Sequence, residues 1–376
     1  MADILIVGGG IAGAGAAYEL AAVASVIVLE REPHCGYHST GRSAASFTEN
    51  YGGTLIRRLA IASRAFLESP PADFSDHPLL SPRGMFTIAR ADQLELLQRQ
   101  LTVAQALVPT IRQIEVAAAI ARVPILRPDY VAGVFEEPHS KELDVHGLHQ
   151  GFLKGARARG ARLVVNADVE AIERNRGEWS VATTAGTFAA PIIINAAGAW
   201  ADTIARLAGV GPVGLVPKRR TAFLIPAPAD LKGWPMVNDV AEEFYFKPDA
   251  GQLFVSPADA TPSAPMDVYP EDLDVAAGVE RFERATTVTV QRVARAWAGL
   301  RTFARDASPV VGFDGGVEGF FWLAGQGGYG IKTSPALSRV CAALIRDRRL
   351  PGDLLELGVT AAELSPERLR AVGSSP

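Results

Sequence analysis

A glycine-rich turn close to the start of the chain constrains the fold more than any other feature. Residues 3–7, "DILIV", lead into "GGGIAGAGAAYEL", in which Gly8, Gly10 and Gly13 make the pattern G-x-G-x-x-G at the opening of an Ala-rich helix. A second β-branched run, "SVIVLE", follows at residues 25–30. Strand, helix and strand at this spacing predict a βαβ unit, and with it a doubly wound α/β domain.

This turn is typical of nucleotide-binding sites. The first glycine allows the tight turn, the second lets a phosphate approach the backbone, and the third lets helix and strand pack closely. The helix N-terminus offers free N–H groups and partial positive charge to a pyrophosphate. Glu30 ends the second strand, where a carboxylate can accept ribose hydroxyls. The pattern does not distinguish NAD from FAD, and a turn without a ligand is the structural alternative.

Two later stretches favour the longer cofactor. Residues 36–47, "GYHSTGRSAASF", offer hydroxyls, N–H groups and the Arg42 charge to a phosphate. Residues 195–200, "NAAGAW", offer small side chains where the backbone passes a cofactor. A polar surface loop and core packing are the respective structural alternatives. Three such places suit one extended FAD, whereas a nicotinamide cofactor needs one of them.

The composition limits the class of protein. A chain of 376 residues predicts two domains, and 48% hydrophobic with 21% charged residues is typical of a soluble globular protein. The net charge of -4 gives no basic surface for nucleic acid. Two cysteines, Cys35 and Cys341, predict a reducing compartment. Glu19 and five glycines interrupt the apolar residues 4–29, so we expect a cytoplasmic protein without a transmembrane segment.

Periodicity along the rest of the chain predicts helices and short strands. The helices are expected at residues 91–107, at residues 145–160 after an Asp144 cap, and, as the last helix, from Pro335 to Arg346. Further strands are predicted at residues 161–165, 191–198, 217–256 and 320–325. The Pro-rich residues 257–270 predict a flexible connection.

Several motifs, in order along the chain, resemble those of one family. They are "GYHSTGRSAA", "HPLLSPR", "NAAGAW", "PKRR", "FYFKPDAG", "WAGLR" and "QGGYGI". These stretches are similar to motifs of the FAD-dependent D-arginine dehydrogenases, within the D-amino-acid oxidase and sarcosine oxidase superfamily, from residue 3 to about residue 370. The resemblance implies a doubly wound, glutathione-reductase-like FAD-binding domain interleaved with a β-rich α+β substrate domain. The implied ranges are 1–82, 145–215 and 300–376 for the first, and 83–144 and 216–299 for the second.

The resemblance also implies how FAD is held. The similar "YHSTG" stretch binds FAD without a covalent bond, so we expect none at His38, although dimethylglycine-type relatives carry flavin covalently on a histidine in a similar setting. The glycine loop "AGQGGYGIKTS", residues 324–334, is expected against the flavin ring, with residues 325–332 donating N–H groups and glycines avoiding collision with the ring. The implied cofactor contacts are Gly8, Gly10, Ala12, Gly13, Glu30, Arg31, Ser39, Thr40, Gly41, Arg42, Ser43, Ala44, Ser46, Val169, Gly198, Trp200, Arg301, Gly327, Gly328, Tyr329, Gly330, Ile331 and Lys332.

Four residues match the family's substrate site. Arg301 in "WAGLR" and Arg220 in "PKRRTAF" match carboxylate-binding arginines, whose guanidinium forks grip a carboxylate with two parallel hydrogen bonds. Tyr51 and Tyr245 match tyrosines at the substrate, one beside the amine and one closing a lid. Surface arginines and core tyrosines are the structural alternatives.

Three departures from the family pattern bear on the substrate. Ser46 stands where the family has a histidine, and Gly84 with Met85 replaces a glutamate that pairs with a substrate guanidinium. Lys332 replaces a glutamine. A lysine after a similar stretch binds the substrate carboxylate in sarcosine oxidases, and the alternative for Lys332 is a cation that neutralises reduced flavin.

We therefore predict FAD-dependent oxidative deamination of a D-α-amino acid to an imino acid, and then to 2-oxo acid and ammonia. A neutral side chain is favoured over D-arginine, with Glu49 as the acid able to replace the missing partner. Oxidation of a secondary amine such as sarcosine or a proline derivative, supported by Lys332, is the alternative. A nicotinamide-dependent reductase and a non-catalytic FAD-binding protein are the other classes. The electron acceptor, quinone or O2, stays open, and no metal site is predicted.

Overall fold

A computed structural model describes residues 2–370. Residue 1 and residues 371–376, the two ends of the predicted FAD-binding domain, lie outside the described residues. The strands are β1 (Ile4–Val7), β2 (Val26–Leu29), β3 (Ser46–Phe47), β4 (Leu80–Pro82), β5 (Met85–Ala89), β6 (Arg112–Ile114), β7 (Gly133–Glu137), β8 (Lys141–Leu143), β9 (Arg162–Val164), β10 (Val169–Asn175), β11 (Glu178–Thr183), β12 (Gly186–Ala190), β13 (Ile192–Asn195), β14 (Val216–Pro226), β15 (Met236–Asp239), β16 (Tyr245–Asp249), β17 (Gln252–Ser256), β18 (Thr261–Pro262), β19 (Arg295–Phe303), β20 (Val310–Phe313) and β21 (Phe320–Ala324). The helices are α1 (Ile11–Leu20), α2 (Thr54–Glu68), α3 (Leu94–Leu107), α4 (Val116–Arg122), α5 (Val145–Ala158), α6 (Ala201–Leu207), α7 (Asp272–Ala285), α8 (Gly330–Asp347), α9 (Gly352–Glu356), α10 (Ala361–Leu364) and α11 (Glu367–Arg370).

A six-stranded sheet, in the order β20-β21-β13-β1-β2-β9, is the centre of the part of the molecule that carries the glycine turn. β1 pairs in parallel with both β2 and β13, and α1 connects β1 to β2, which confirms the predicted βαβ unit. Ile6 and Ile194 face a core that α1, α5 and α8 cover. Leu5 and Ile193 face a second core, against the small sheet β10-β11-β12. Helices cover one side of the sheet, and α6 with the small sheet covers the other, in agreement with the predicted doubly wound α/β fold.

A nine-stranded sheet follows the order β18-β14-β17-β16-β15-β5-β7-β6, with β19 paired to the other edge of β14. One face carries a core that includes Phe86, Phe223, Phe246 and Phe282, where α4 and α7 pack. The opposite face is open to a cavity. A further sheet, β3-β8-β4, joins segments that the sequence assigned to different domains. The domain limits themselves stay a prediction.

The C-terminal helices differ from the sequence prediction. The helix expected from Pro335 to Arg346 begins at Gly330, and it is not the last, because α9, α10 and α11 follow. Proline lacks the N–H that would bond to the carbonyl of Ile331. The Ser334 hydroxyl donates to that carbonyl at 2.9 Å, so the helix continues through the proline. Within residues 2–370, no helix is both long and apolar enough to cross a bilayer.

Candidate active site

Close contacts with other backbone atoms of the protein require glycine in the turn after β1. Gly8 has φ +106°, and a Cβ there would lie 2.5 Å from the carbonyl oxygen of Ala196. A Cβ on Gly13 would lie 1.9 Å from the carbonyl oxygen of Gly8. Gly10 caps α1. These contacts force glycine at two positions and direct the first turn of α1, with its free N–H groups, at one end of a cavity.

Glu30 holds this turn together. Its carboxylate accepts hydrogen bonds from the backbone N–H of Gly9 at 2.8 Å and from that of Glu32 at 3.0 Å. Thr40 supports the same region, because its hydroxyl oxygen accepts from the N–H of Ile11 at 3.0 Å. The ribose contact of Glu30 stays a prediction, since the carboxylate already bonds to the backbone.

The narrow cavity, of about 880 Å³, runs from the first turn of α1 to the start of α8. Between these helix ends its walls are the loop after β2, the start of the second sheet and the C-terminal glycine loop. Many of the residues predicted to contact FAD line it. They are Ala12, Ser39, Thr40, Arg42, Ser43, Ala44, Gly198, Arg301, Gly327, Gly328, Gly330 and Ile331.

Eight predicted cofactor residues do not line either cavity. Four are glycines of the turns, Gly8, Gly10, Gly13 and Gly41, and the others are Glu30, Arg31, Val169 and Trp200. The guanidinium of Arg31 lies 5.0 Å from the ring of Trp200, on the side where Glu30 ends β2. Val169 starts β10 and packs against the second core. Contacts of these residues with FAD stay predictions.

Arg42 has a different set of partners from the one expected. Its guanidinium pairs with Asp267 and donates to the carbonyls of Val268 at 2.9 Å and Ala298 at 3.1 Å. A paired guanidinium has little charge left for a phosphate. These bonds also hold residues 257–270, which the sequence predicted to be a flexible connection, against the second sheet, and Val268 is buried there.

The C-terminal glycine loop is glycine-rich because of its protein neighbours. A Cβ on Gly327, which has φ +55°, would lie 2.3 Å from the ring of Phe303. A Cβ on Gly328 would lie 2.9 Å from the Arg301 guanidinium. Contacts with Phe303 and Arg301 therefore explain these glycines. The expected collision of larger side chains with the flavin ring is not needed as the reason. The loop ends at Tyr329, the N-cap of α8, so a second helix N-terminus faces the cavities.

The wide cavity, of about 1,820 Å³, adjoins the narrow one. The two share part of their lining, including Ser43, Ala44, Gly328 and Ile331. All five residues predicted to be catalytic line the wide cavity: Tyr51, Arg220, Tyr245, Arg301 and Lys332. The structure thus brings together residues that are far apart in the sequence, although their individual roles stay predictions.

Arg301 and Arg220 present two guanidinium groups with no carboxylate partner. Arg301 donates to the Tyr245 hydroxyl at 3.4 Å, and Arg220 donates to the backbone carbonyl of Asp259 at 2.7 Å. Among residues 2–370, no carboxylate oxygen of Asp or Glu lies within 4.0 Å of either guanidinium. Burial lowers the pKa of Arg301, but Tyr245, Tyr51 and Tyr329 outweigh burial and raise it. This arrangement favours an anionic ligand.

The tyrosines form the wall beside these arginines. The rings of Tyr51 and Tyr329 lie 5.3 Å apart at 60°. Burial raises the pKa of Tyr51, and it raises the pKa of Tyr329 to about 12. Burial also raises the pKa of Tyr245, but Arg301 and Arg220 outweigh it and lower that pKa. The hydroxyls of Tyr51 and Tyr329 therefore stay protonated near neutral pH and can donate hydrogen bonds.

Lys332 is buried and bonded to the backbone. Its Nζ donates to the carbonyls of Thr48 at 2.9 Å and of Tyr51 at 2.6 Å. Burial lowers the pKa of Lys332 to about 7, against the opposing effect of Glu137. These bonds position the segment that carries Tyr51. The two predicted roles, at the flavin and at a substrate carboxylate, stay predictions.

The floor of the wide cavity was not predicted from the sequence. It consists of two rows across β15, β5 and β7: Met236, Met85 and Glu137 in one row, and Asn238, Thr87 and Phe135 in the next. The Ser46 hydroxyl donates to the sulfur of Met236 at 3.3 Å. Glu137 pairs across the strands with Met85, which stands at the position where the family has a glutamate.

The premise of an acid-free pocket is therefore wrong, and so is the choice of Glu49. Glu49 pairs with Arg64 and does not line the wide cavity. Alternation in "GVFEE" puts Glu137 on one face with Phe135. The alternation does not show which face of the strand lines the cavity. The sequence therefore indicates that Glu137 and Phe135 share a face, but not that this face lies in the cavity.

Comparison with known proteins identifies the family. A family model described as FAD dependent oxidoreductase (DAO) matches residues 3–344. The chain belongs to this family. Its cofactor is FAD, and the narrow cavity suits that group, because two helix N-termini and the C-terminal glycine loop lie along it.

Two curated relatives span most of this FAD-dependent oxidoreductase. Glycine oxidase of Geobacillus kaustophilus (strain HTA426) is 23% identical over 95% of this chain and 96% of that enzyme. Mitochondrial dimethylglycine dehydrogenase of Homo sapiens is 25% identical over 95% of this chain, which spans only 44% of that enzyme.

Solved structures show the same fold. L-proline dehydrogenase from P. horikoshii has a TM-score of 0.84 at 20% identity, over 98% of both chains. Glycine oxidase from Geobacillus kaustophilus has a TM-score of 0.83 at 23% identity, over 96% of this chain and 98% of that chain.

Proposed function

We propose that this FAD-dependent oxidoreductase oxidises the C–N bond beside the carboxylate of an amino acid or an N-alkylated amino acid. The observation that carries the proposal is the pair Arg301 and Arg220 in the wall of the wide cavity, without a carboxylate partner among residues 2–370. Half-buried cations without a carboxylate partner favour an anion, and guanidinium forks match a carboxylate.

The protein's own residues prepare the substrate. Arg301 and Arg220 bind the carboxylate, Tyr245 supports the Arg301 fork, and Tyr51 with Tyr329 separates the reacting carbon from solvent. When bound, FAD would supply the acceptor for the hydride that leaves the α-carbon. The amine reacts in its neutral form, since a lone pair on nitrogen must form the C=N bond. Water then hydrolyses the imine, and a 2-oxo acid and ammonia or an amine are released.

An N-alkylated amino acid or glycine is the favoured substrate class. The similar curated proteins are named glycine oxidase, dimethylglycine dehydrogenase and sarcosine dehydrogenase, and a similar solved structure is of iminodiacetate oxidase. A D-α-amino acid is the second candidate, favoured by the space that the wide cavity leaves beside Arg301 for a side chain. The expected preference for neutral side chains was based on the absence of an acid from the side-chain pocket. Glu137 lines the wide cavity, so this basis is lost.

Anaerobic bleaching of the flavin tests the proposal. Glycine, sarcosine, dimethylglycine, both proline enantiomers and a set of D- and L-amino acids are compared with the amines that lack the carboxylate. We expect each reactive acid to exceed its decarboxylated partner by at least about thirtyfold in kcat/KM, the effect of one charged fork. Equal bleaching by acid and amine would refute the carboxylate site. Reoxidation by O2 and by a quinone then identifies the acceptor.

We also propose that FAD is bound without a covalent link. His38 Nε2 lies 2.8 Å from the Glu32 carboxylate, and its ring is 4.7 Å from that of Trp200, so the side chain is engaged with the protein. Acid precipitation should leave the yellow colour in the supernatant. Yellow colour in the protein pellet would contradict the prediction, and the His38→Ala variant would then show whether His38 carries the bond.

A further inference from the structure

Glu137 is a buried acid that the proposed chemistry does not use. It is 5% exposed and ends β7 on the face that lines the wide cavity. Among residues 2–370, no Lys, Arg or His nitrogen lies within 4.0 Å of its carboxylate. Burial raises the pKa of Glu137, and the nearby Thr48 side chain opposes this without reversing it. A buried carboxylate without a cation is unfavourable unless a ligand supplies the partner.

The nearby cations Lys332 and Arg57 bond to backbone carbonyls and form no ion pair with Glu137. Lys332 donates to two backbone carbonyls, those of Thr48 and Tyr51. Arg57 donates through Nε to the carbonyl of Gly52 at 2.8 Å. Both act on Glu137 only through space. The acid therefore has acceptor capacity that faces the cavity.

The cavity floor fits a molecule with two charged ends. Tyr245 pairs with Asn238, which pairs with Thr87, which pairs with Phe135. The backbones at the two ends of this row are three strand spacings apart, about 14 Å. Glu137 lies two residues beyond Phe135 on the same face of β7.

The surfaces between the two ends are apolar. Met85 and Met236 lie in the same row as Glu137, between it and the arginine end. Methionine side chains adapt to an unbranched chain of methylene groups. From one end to the other, the cavity offers cations for a carboxylate, thioethers for methylenes and a carboxylate for a cation.

We propose that Glu137 binds a cationic group at the far end of the substrate side chain, and that the substrate class includes diamino acids with an unbranched linker. This inference rests on the proposed amino-acid oxidation, since the carboxylate end is fixed by Arg301 and Arg220. Glu137 is a specificity residue and takes no part in the transfer of the hydride.

A homologous series measures the length of the linker. The D and L forms of 2,3-diaminopropionate, 2,4-diaminobutyrate, ornithine and lysine are mixed anaerobically with the holoenzyme, beside norvaline and norleucine as neutral chains of similar length. The rate of flavin reduction against concentration gives a Kd and a limiting rate constant for each compound. We expect one member of the cationic series to bind at least about tenfold more tightly than its neutral counterpart, a modest share of the effect of a desolvated charge pair.

The variant Glu137→Gln tests the residue. It keeps the shape of the side chain and removes the charge, so the cationic compounds should lose about thirtyfold or more in Kd while the neutral compounds change less than about threefold. Glu136→Gln is the matched control, because Glu136 lies one residue away on the opposite face and pairs with Arg112 and Arg122. It should leave the ratio of cationic to neutral Kd unchanged. If Glu137→Gln loses bound FAD, Glu137→Met takes its place.

Two different failures are distinguishable. Equal Kd for lysine and norleucine in the wild type, or the same shift for both in Glu137→Gln, overturns the Glu137 proposal alone. Absence of flavin bleaching by every amino acid overturns the proposed function. Perturbation of the flavin absorbance by D- or L-lysine still gives a Kd in that case, so the comparison of wild type and variant decides the role of Glu137 without turnover.

Discussion

The two faces of the nine-stranded sheet treat charge in opposite ways. On the helix-covered face, Arg219 pairs with Glu271 and Asp274. On the cavity face, the next residue, Arg220, has only a backbone carbonyl as its partner within residues 2–370. Side chains alternate between the faces of a strand, so neighbours in the sequence have different surroundings.

The two glutamates at the end of β7 repeat the contrast. Burial raises the pKa of Glu136, but its hydrogen bonds from Arg122 and Arg112 outweigh burial and hold the pKa below its usual value. Burial also raises the pKa of Glu137, and there the opposing contacts with Thr48, Lys332 and Arg57 are too weak to reverse it. Paired charges on one face stabilise packing, whereas Arg220 and Glu137 on the other face have no oppositely charged side chain within 4.0 Å among residues 2–370.

The largest expected effect is on the cavity face. Arg301→Gln should lower kcat/KM by about 30- to 1,000-fold, or about 2–4 kcal/mol, because the substrate carboxylate loses a charged fork. The free energy of unfolding should not fall, since a half-buried charge without a carboxylate partner is removed. Steady-state kinetics and urea unfolding measure the two quantities.

Arg295→Gln is the matched control for this prediction. Arg295 starts the same strand, β19, and is exposed outside both cavities. It should retain the wild-type kcat/KM. Wild-type activity in Arg301→Gln would show that the carboxylate binds elsewhere.

The second effect is on the helix-covered face. There we expect a loss of stability with little change in substrate binding, the reverse of the expectation for Arg301→Gln. Arg219→Gln should lower the free energy of unfolding by about 2–3 kcal/mol, somewhat less than for a fully buried pair, because Glu271 is partly exposed. Substrate Kd should change less than about threefold, the scale of a remote substitution. Urea unfolding and flavin-reduction titrations test this. A loss of substrate affinity as large as that in Arg301→Gln would remove the distinction between the two faces.

The smallest effect comes from Lys332, a cavity residue held by carbonyls. Its pKa is about 7 in the folded protein against 10.5 for the ordinary group, so between these values the unfolded chain binds more protons at this site. Stability attributable to Lys332 should therefore rise with pH through this window, by about 1–2 kcal/mol from pH 7 to pH 8.5.

Urea unfolding of wild type and Lys332→Met across that pH range measures the difference. The methionine variant has no group to titrate at this position and so corrects for the rest of the chain. Parallel stability curves for the two proteins would mean that Lys332 is charged throughout. The same variant should also raise the mobility of the Tyr51 segment, because both carbonyl bonds are lost.

Local sequence determined the fold around the six-stranded sheet and the type of cofactor. The glycines around Gly8 and Gly13 permit only a tight turn, the flanking apolar runs have strand and helix periods, and Asp144 caps α5 as expected, its carboxylate accepting from the N–H of Gly147. The strand and helix periods and the Asp144 cap depend on neighbours within a few residues, so they can be read directly, whereas the contact that requires glycine at position 8 is with Ala196. The resemblance of separate motifs supplied the grouping of Arg220 and Arg301 with the two tyrosines.

The tertiary structure alone decided which charges have partners. Strand alternation puts Glu137 with Phe135, but only the register between β5 and β7 sets it opposite Met85 in the cavity floor. Glu49 meets Arg64 and Arg42 meets Asp267 through packing of distant segments. A one-residue change in strand register would exchange the two faces. Charges that look alike in the sequence are thus paired or left unpaired according to contacts between residues far apart in the chain.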